Sequence, residues 1–166
     1  MTLFAEHGYD ATATAEIAEH AGVSEMTLFR HFPTKEALLL ADQFDPLMAE
    51  AVRARPVDEP SMRALSEGIR QAWTHLSAED TELLRDRLRI IAEARTLRGA
   101  IERNSEETIA ALMRALIDRG TSEEQARVAT TAVIAGLSTA LLNWAQSEHA
   151  ALDTTLGGAL DTLGGE

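Results

Sequence analysis

The chain has 166 residues, of which 45% are hydrophobic and only 4% aromatic, a formal net charge of −12 and no cysteine. Without cysteine it forms no disulfide, thiolate metal site or thiol nucleophile. No segment approaches the ~20 consecutive apolar residues that span a bilayer, and residues 1–10 lack the basic start and apolar run of a secretory signal. We therefore expect a soluble, cytoplasmic protein. The acidic charge opposes nucleic-acid binding, although a local surface can still be positive.

Helical patterns follow one another along the whole chain, and most begin at a residue suited to cap a helix. The predicted helices span 3–7, 13–20, 25–31, 35–55, 61–76, 79–96, 98–119, 122–146 and 149–163. The predicted N-caps are Thr12, Ser24, Thr34, Ser77 and Ser122. Gly8 suits a helix C-terminus, and Pro33 prevents the helix over 25–31 from continuing.

No alternating strand pattern, repeat or low-complexity tract interrupts these helices, so we predict an all-α fold. The segment between Pro56 and Pro60 is the best linker candidate. It divides the chain into a unit over 1–55, which includes the connecting helix 35–55, and a larger helical bundle over 56–166.

The helices over 13–20 and 25–31 are separated only by a short turn around Gly22. Two short helices joined by a tight glycine turn are typical of a helix-turn-helix, whose second helix enters the major groove of DNA. Ile17, Ala18 and Leu28 supply the apolar contacts that such a unit needs. Glycine suits a turn position that would strain a residue with a side chain.

The stretch over 11–38, ATATAEIAEHAGVSEMTLFRHFPTKEAL, resembles the DNA-binding segment of the tetracycline-repressor (TetR) family of bacterial regulators. The resemblance runs from Phe4 to Leu38, with many positions matching in register. It implies a ligand-responsive, sequence-specific transcriptional regulator without enzyme activity or cofactor. Its expected partners are a pseudo-palindromic double-stranded DNA operator, a second copy of the chain in a homodimer, and a small effector that releases a repressor from DNA.

By this resemblance, helix 25–31 is the recognition helix. The positions implied to contact DNA lie on this helix and beside it: Ser24, Glu25, Met26, Thr27, Phe29, Arg30, His31 and Lys35. Thr27, His31 and Lys35 match positions that usually hold the phosphate backbone, whereas Glu25, Met26 and Arg30 lie where bases are read. Phe29 stands where family members commonly have tyrosine.

Lys35 is the single lysine of the chain and lies in the first turn of the predicted helix 35–55. A cation there is unfavourable for the helix dipole. A phosphate bound at the same N-terminus would reverse that cost and accept a charge-assisted hydrogen bond. We therefore interpret Lys35 as a ligand for a DNA phosphate.

Two features of the N-terminal unit depart from the family pattern. The family's first helix normally begins well before the segment matching residues 3–10, so we expect an incomplete first helix through N-terminal truncation. Residues 1–55 also carry four basic and nine acidic groups, a formal charge of −5. Both features favour an alternative function: a ligand-binding or protein-interaction bundle that has lost effective DNA binding.

The last two predicted helices are candidates for the dimer interface. Small residues spaced by four on helix 122–146, and leucines on one stripe of helix 149–163, would let both helices pair with their copies. The predicted interface residues are Ala132, Gly136, Ala140, Leu152, Leu156 and Leu160. The alternative is that both stripes pack within one subunit.

An effector pocket is predicted among the apolar residues of the bundle. Its candidates are Trp73, Leu88, Ile91, Ile109, Met113 and Trp144; the alternative is that these residues are ordinary core. The stretches over 85–104 and 137–146 also resemble a TetR subgroup with an acyl-CoA-like ligand domain. That resemblance implies a hydrophobic effector, with a long-chain acyl-CoA as the first candidate and Arg89 or Arg95 near its anionic head.

No arrangement of residues typical of catalysis or metal binding occurs in the sequence. No glutamate has a histidine three residues later, as di-iron bundles require, and no His-x3-His pair or glycine-rich phosphate loop is present. The five histidines are scattered. We expect neither an enzyme nor a metal site.

Overall fold

Helix boundaries in the computed structural model agree with most of the predicted ones. The structure describes residues 1–40, 44–74 and 76–165, and only the backbone of residues 44, 45, 95 and 98–103. Its helices are α1 Thr2–His7, α2 Thr14–His20, α3 Glu25–His31, α4 Ala37–Leu40, α5 Phe44–Arg53, α6 Ser61–Trp73, α7 Ala78–Glu93, α8 Arg98–Asp118, α9 Glu123–Gln146 and α10 Leu152–Gly164. A short 3-10 turn, Arg95–Leu97, precedes α8. All regular structure in this part of the chain is helical, which confirms the predicted fold class.

Three serine caps start helices as predicted. The Ser24, Ser77 and Ser122 side chains each accept a hydrogen bond from the backbone N–H three residues later. The prediction for Thr12 was wrong: α2 begins after Ala13, whose N–H donates to the Glu16 carboxylate at 2.9 Å. The Thr12 side chain is buried, and its hydroxyl donates to the Gly8 carbonyl at 2.8 Å instead of capping α2.

The region predicted as one helix over 35–55 contains two described helices. The Thr34 hydroxyl accepts a hydrogen bond from the Ala37 N–H at 3.2 Å, and α4 begins only at Ala37. Residues 41–43 lie outside the described part. The next helix, α5, has Pro46 in its first turn, where a missing N–H costs no helical hydrogen bond.

The larger core is made by α5, α6, α8, α9 and α10, with a contribution from α7. Helices α5 and α6 cross closely: a Cβ atom added at Gly68 would lie 2.8 Å from the Val52 backbone. Met48, Ala49 and Val52 of α5 are buried in this core. By its packing α5 therefore belongs to the bundle, although the predicted domain division placed it in the N-terminal unit.

A second hydrophobic cluster attaches the N-terminal unit to α7. Its buried members are Phe4, Tyr9, Leu39, Ile90, Ile91, Ala94 and Leu97. The Thr96 hydroxyl also donates to the Asp10 carboxylate across this contact. The N-terminal unit is thus seated on the C-terminal half of α7.

Arg119, at the end of α8, binds the turn that joins α5 to α6. Its guanidinium donates to the carbonyls of Val52 at 3.1 Å, Pro56 at 2.6 Å and Glu59 at 3.1 Å. The side chain is buried, and these main-chain oxygens satisfy most of its donors. The predicted linker is therefore an ordered turn fixed to the bundle.

Candidate nucleic-acid interface and apolar cavity

The turn between α2 and α3 has the geometry of a helix-turn-helix. Gly22 has a φ of 67°, a conformation that a residue with a side chain adopts only with strain. The Val23 N–H donates to the Ala18 carbonyl at 3.0 Å, which closes the turn. Ala18 and Leu28 are buried between the two helices. This packing holds α3 with its other face outward.

The outer face of α3 carries the residues predicted to read bases. Met26 is 84% exposed, and Glu25 and Arg30 are also exposed. The Thr14 hydroxyl donates to the Glu25 carboxylate at 3.2 Å, so the first residue of α3 is held from α2. An exposed acid, thioether and guanidinium on one short helix can accept from a base amino group, contact a thymine methyl and donate to guanine, respectively.

Thr27 and His31, two of the residues predicted to hold phosphates, lie on the same helix. The Ser24 and Thr27 hydroxyls lie 3.0 Å apart at the start of α3, and Thr27 is half-buried. His31 is exposed in the last turn, and Phe29 is 39% exposed. The structure thus brings Ser24 to His31 together on one helix with its cap.

Lys35 has an internal partner that the sequence did not reveal. Its ammonium donates to the Tyr9 carbonyl and lies 4.3 Å from the centroid of the Tyr9 ring and 5.9 Å from that of Phe4. A cation over an aromatic face is stabilised by the ring quadrupole. Lys35 therefore links the start of α4 to α1, which accounts for a lysine at this position without any external anion.

A cavity of about 160 Å³, partly open to solvent, lies between the two hydrophobic clusters. Each helix from α4 to α9 contributes to its walls, and Trp73 is the contribution of α6. The lining residues are Leu39, Leu40, Met48, Trp73, Leu84, Arg87, Leu88, Ile91, Asn104, Ser105, Thr108, Ile134, Leu137, Ser138, Leu141 and Leu142. Because Leu39 and Leu40 belong to α4, this cavity touches the N-terminal unit directly.

Half of the predicted pocket residues line the cavity, and half do not. Trp73, Leu88 and Ile91 form part of its wall. Ile109 and Met113 pack into the larger core instead. Trp144 is 1% exposed and its indole N–H donates to the Ala150 carbonyl at 3.1 Å, so it anchors the turn after α9.

The arginines of α7 have different positions from those expected. Arg89 donates to the Ala145 carbonyl at 2.8 Å, near the end of α9, and is absent from the cavity wall. Arg85 lies over the Trp144 ring and binds the Ser147 carbonyl. The Arg95 side chain lies outside the described residues. Arg87, which sequence reasoning missed, is the arginine that lines the cavity.

Comparisons with known proteins identify the family of both parts of the chain. Residues 1–41 match the model of bacterial regulatory proteins of the tetR family, and residues 59–166 match that of the MftR C-terminal domain. The chain belongs to the TetR family. Its C-terminal part is a domain of the MftR type.

Three relatives are similar to this TetR-family chain over different lengths. The HTH-type transcriptional regulator TcmR of Streptomyces glaucescens is 29% identical over 126 residues, 72% of this chain and 56% of TcmR. YvkB of Bacillus subtilis, an uncharacterized HTH-type transcriptional regulator, is 54% identical over 41 residues, 25% of this chain and 22% of YvkB. The HTH-type transcriptional repressor AcnR of Corynebacterium diphtheriae is 34% identical over 84 residues, 49% of this chain and 44% of AcnR. The chain spans about half the length of TcmR and less of the other two.

The last two helices of this TetR-family chain pack against each other and against α6. Leu152, Leu156 and Leu160 are buried in the core of the single chain, so the prediction that they face a partner subunit is corrected. A Cβ atom added at Gly136 would lie 3.1 Å from the Leu163 side chain of the same chain. Gly136 therefore lies at the contact between α9 and α10, and the three leucines are buried in the core that α10 shares with α6 and α9.

The outward face of α9 differs from the rest of the surface. Ala132 is exposed, Ala140 is half-buried, and Val128 is 67% exposed. No charged residue occurs from Val128 to Gln146. By length and composition alone, α9 is the one helix of the described part that could cross a membrane, and 33% of its apolar window is buried within the protein.

Proposed function

We propose that this chain is a sequence-specific, DNA-binding transcriptional repressor that acts as a homodimer and is released from DNA by a hydrophobic small molecule. The observation that carries the proposal is the position of the cavity. Leu39 and Leu40 line it, and they follow His31, the last residue of α3, by only eight and nine residues. A ligand in the cavity therefore contacts the segment that leads out of the recognition helix.

The release mechanism follows from what the cavity wall shares with the second cluster. Leu39 and Ile91 belong both to the wall and to the cluster that seats the N-terminal unit on α7. A ligand that binds better to one arrangement of this seat than to another shifts the population toward it. In a dimer, a changed spacing of the two α3 helices no longer matches successive major grooves. Long-chain acyl-CoA and more compact apolar compounds are the effector classes to compare.

The test begins with binding of the purified chain to the DNA that flanks its own gene, measured by fluorescence anisotropy at several salt concentrations. Arg30→Ala should relax the preference for the cognate sequence by ~1–3 kcal/mol, because a base contact is lost. Lys35→Ala should weaken all sequences alike and flatten the salt dependence by about one unit, because one phosphate contact is lost.

The matched control is Arg127→Ala. Arg127 is an exposed arginine of α9 that pairs with Glu123, far along the chain from α3. Its removal lowers the charge by the same amount and should leave the salt dependence unchanged. A wild-type slope in Lys35→Ala would show that Lys35 serves only its contact with Tyr9.

A second candidate function is favoured by the charge of the N-terminal unit. Residues 1–55 carry a formal −5, which opposes the approach of DNA. A ligand-binding or protein-interaction bundle without effective DNA binding would show no anisotropy change even at low salt, while an effector would still raise its melting temperature.

A further inference from the structure

The first residue of α3 is an acid whose side chain is held from another helix. The Thr14 hydroxyl, at the start of α2, donates to Oε2 of Glu25 at 3.2 Å. Thr14 is half-buried, whereas Glu25 is exposed. The Gly22 turn and the Ser24 cap fix the backbone that carries Glu25. The carboxylate is thus positioned by both helices, and no group in the described part of the chain donates to its other oxygen, Oε1.

The negative charge of Glu25 is not neutralised by a neighbouring cation. Among the described residues, none of the ion pairs includes Glu25. Residues 1–55 already carry a formal charge of −5, and an exposed anion beside DNA is repelled by the phosphates of every sequence. Glu25 therefore favours binding only where it gains a hydrogen bond from a base.

The four bases offer different edges to a carboxylate in the major groove. Residues at the start of a recognition helix reach these edges, and an ionised carboxylate only accepts hydrogen bonds. Guanine presents acceptors at N7 and O6, thymine presents the O4 acceptor, and adenine presents its N6 amino group beside the N7 acceptor. Cytosine presents the N4 amino group without an acceptor of its own. Cytosine is therefore the base that best suits a carboxylate.

We propose that Glu25 selects a G·C base pair by accepting a hydrogen bond from cytosine N4 through Oε1, and that Thr14 is its positioning residue. The hydrogen bond from Thr14 restricts the carboxylate before DNA arrives, so less side-chain freedom is lost on binding. This inference rests on the proposed function, since it requires α3 to lie in the major groove. It adds to that function the base that is read and a residue of α2 that takes part in the reading.

The experiment uses the full chain and a library of random double-stranded DNA, from which bound sequences are selected and sequenced. Fluorescence anisotropy then measures binding to the selected duplex with each of the four base pairs at every constrained position. The wild type should prefer G·C at one position of a half-site by about tenfold. Glu25→Ala should lose the preference at that position alone. Glu25→Gln should shift it toward A·T, because glutamine matches adenine N6 and N7.

The positioning role is tested by variants of Thr14. Thr14→Val replaces the hydroxyl with a methyl group and should reduce the same preference by about two- to tenfold, the effect of one lost hydrogen bond. The salt dependence and the circular dichroism should stay unchanged. Thr14→Ser keeps a hydroxyl and should restore the preference. When Glu25→Ala is already present, Thr14→Val should change the preference no further.

The matched control is Glu19→Gln, which removes an exposed acid of α2. It lowers the negative charge by the same amount as Glu25→Gln, and it should leave the base preference as in the wild type.

Two results would overturn the inference. Preferences that stay the same at every position in Glu25→Ala would contradict the cytosine contact, and a wild-type preference in Thr14→Val would contradict the positioning role. Failure of the proposed function looks different: no sequence is selected and no duplex binds even at low salt, which contradicts both proposals. Selective DNA binding that does not depend on Glu25 contradicts this inference alone.

Discussion

Tyr9 is the single tyrosine of the chain and lies where three parts of the molecule meet. Its ring is tilted against Phe4 at a centroid distance of 5.3 Å, and its other neighbours are Lys35 and the apolar end of α7. Burial, with smaller effects from the Glu36 and Asp10 carboxylates, raises the pKa of the Tyr9 phenol to about 12. The phenol is therefore neutral in the folded protein well into the alkaline range.

This pKa predicts a loss of stability at high pH. In the unfolded chain the phenol ionises near pH 10, so between pH 10 and 12 the folded state holds a proton that the unfolded state has released. Stability is fully present below pH 10 and falls as the pH rises through this window. Ultraviolet absorbance should show the phenolate appearing near pH 12 or together with unfolding, and a reversible titration near pH 10 in the intact fold would contradict the burial of Tyr9.

The control is Tyr9→Phe, which keeps the ring and the carbonyl that binds Lys35. This variant should lose the tyrosine-linked part of the alkaline destabilisation, whereas His7→Phe, a change on the exposed end of α1, should keep it.

At the scale of helices, the contact between α5 and α6 depends on Gly68. A methyl group there would meet the Val52 nitrogen and Cα atoms at 2.8 Å, and main-chain atoms cannot turn aside as the end of a side chain can. We predict that Gly68→Ala lowers the free energy of unfolding by ~1–3 kcal/mol, because overpacking exceeds the gain in helix propensity. Urea denaturation measures the change.

The matched control is Gly158→Ala on α10. Nothing lies within 4 Å of the added Cβ position at this exposed glycine, so only helix propensity changes and stability should rise by ~0.5–1 kcal/mol. Equal effects of the two substitutions would show that α5 and α6 do not approach as closely as described.

Helices and turns could be predicted from the sequence more completely than the contacts between helices. Serine caps and glycine turns act within a few residues, so Ser24 and Gly22 identified the helix-turn-helix from sequence alone. Periodicity shows that a helix has an apolar face but not which neighbour covers it. Leu156 was therefore assigned to a dimer contact and Met113 to a pocket wall, with the core as the alternative for each, and the structure places both in the core.

Contacts between distant segments were the least predictable. The Lys35 contact with Tyr9 spans 26 residues of sequence. The cavity lining comes from six helices, α4 to α9, so it depends on how all of them pack together. The sequence did contain one indication that α4 is enclosed. Its four residues, Ala37–Leu40, are all apolar, whereas a helix exposed on one side needs apolar residues on only one face.

At the scale of the whole molecule, the uncharged outer face of α9 predicts where two copies meet. Exposed surface without charge is a feature of the centre of subunit interfaces. We predict that Ala132→Arg separates the dimer, because an arginine would be buried there without a partner charge. Analytical ultracentrifugation should show a dimer for the wild type and a monomer for the variant, with unchanged circular dichroism, and DNA affinity should fall because both half-sites are no longer held together.

Ala110→Arg is the matched control, since Ala110 is an exposed alanine on a different helix, α8. It should remain a dimer. A dimeric Ala132→Arg would place the interface on another surface of the chain.

Arg119 has a consequence for how the sequence can change over time. It holds the turn between α5 and α6 through the carbonyls of Val52, Pro56 and Glu59, and a carbonyl is supplied by every amino acid. Exposed turn residues such as Val57 and Asp58 can therefore be exchanged widely without loss of the turn. Position 119 has less freedom, because the guanidinium reaches the three carbonyls from two separate nitrogens, a geometry that the single ammonium nitrogen of lysine does not share. Substitutions at the exposed positions of the turn should therefore be tolerated over evolutionary time as long as Arg119 is retained.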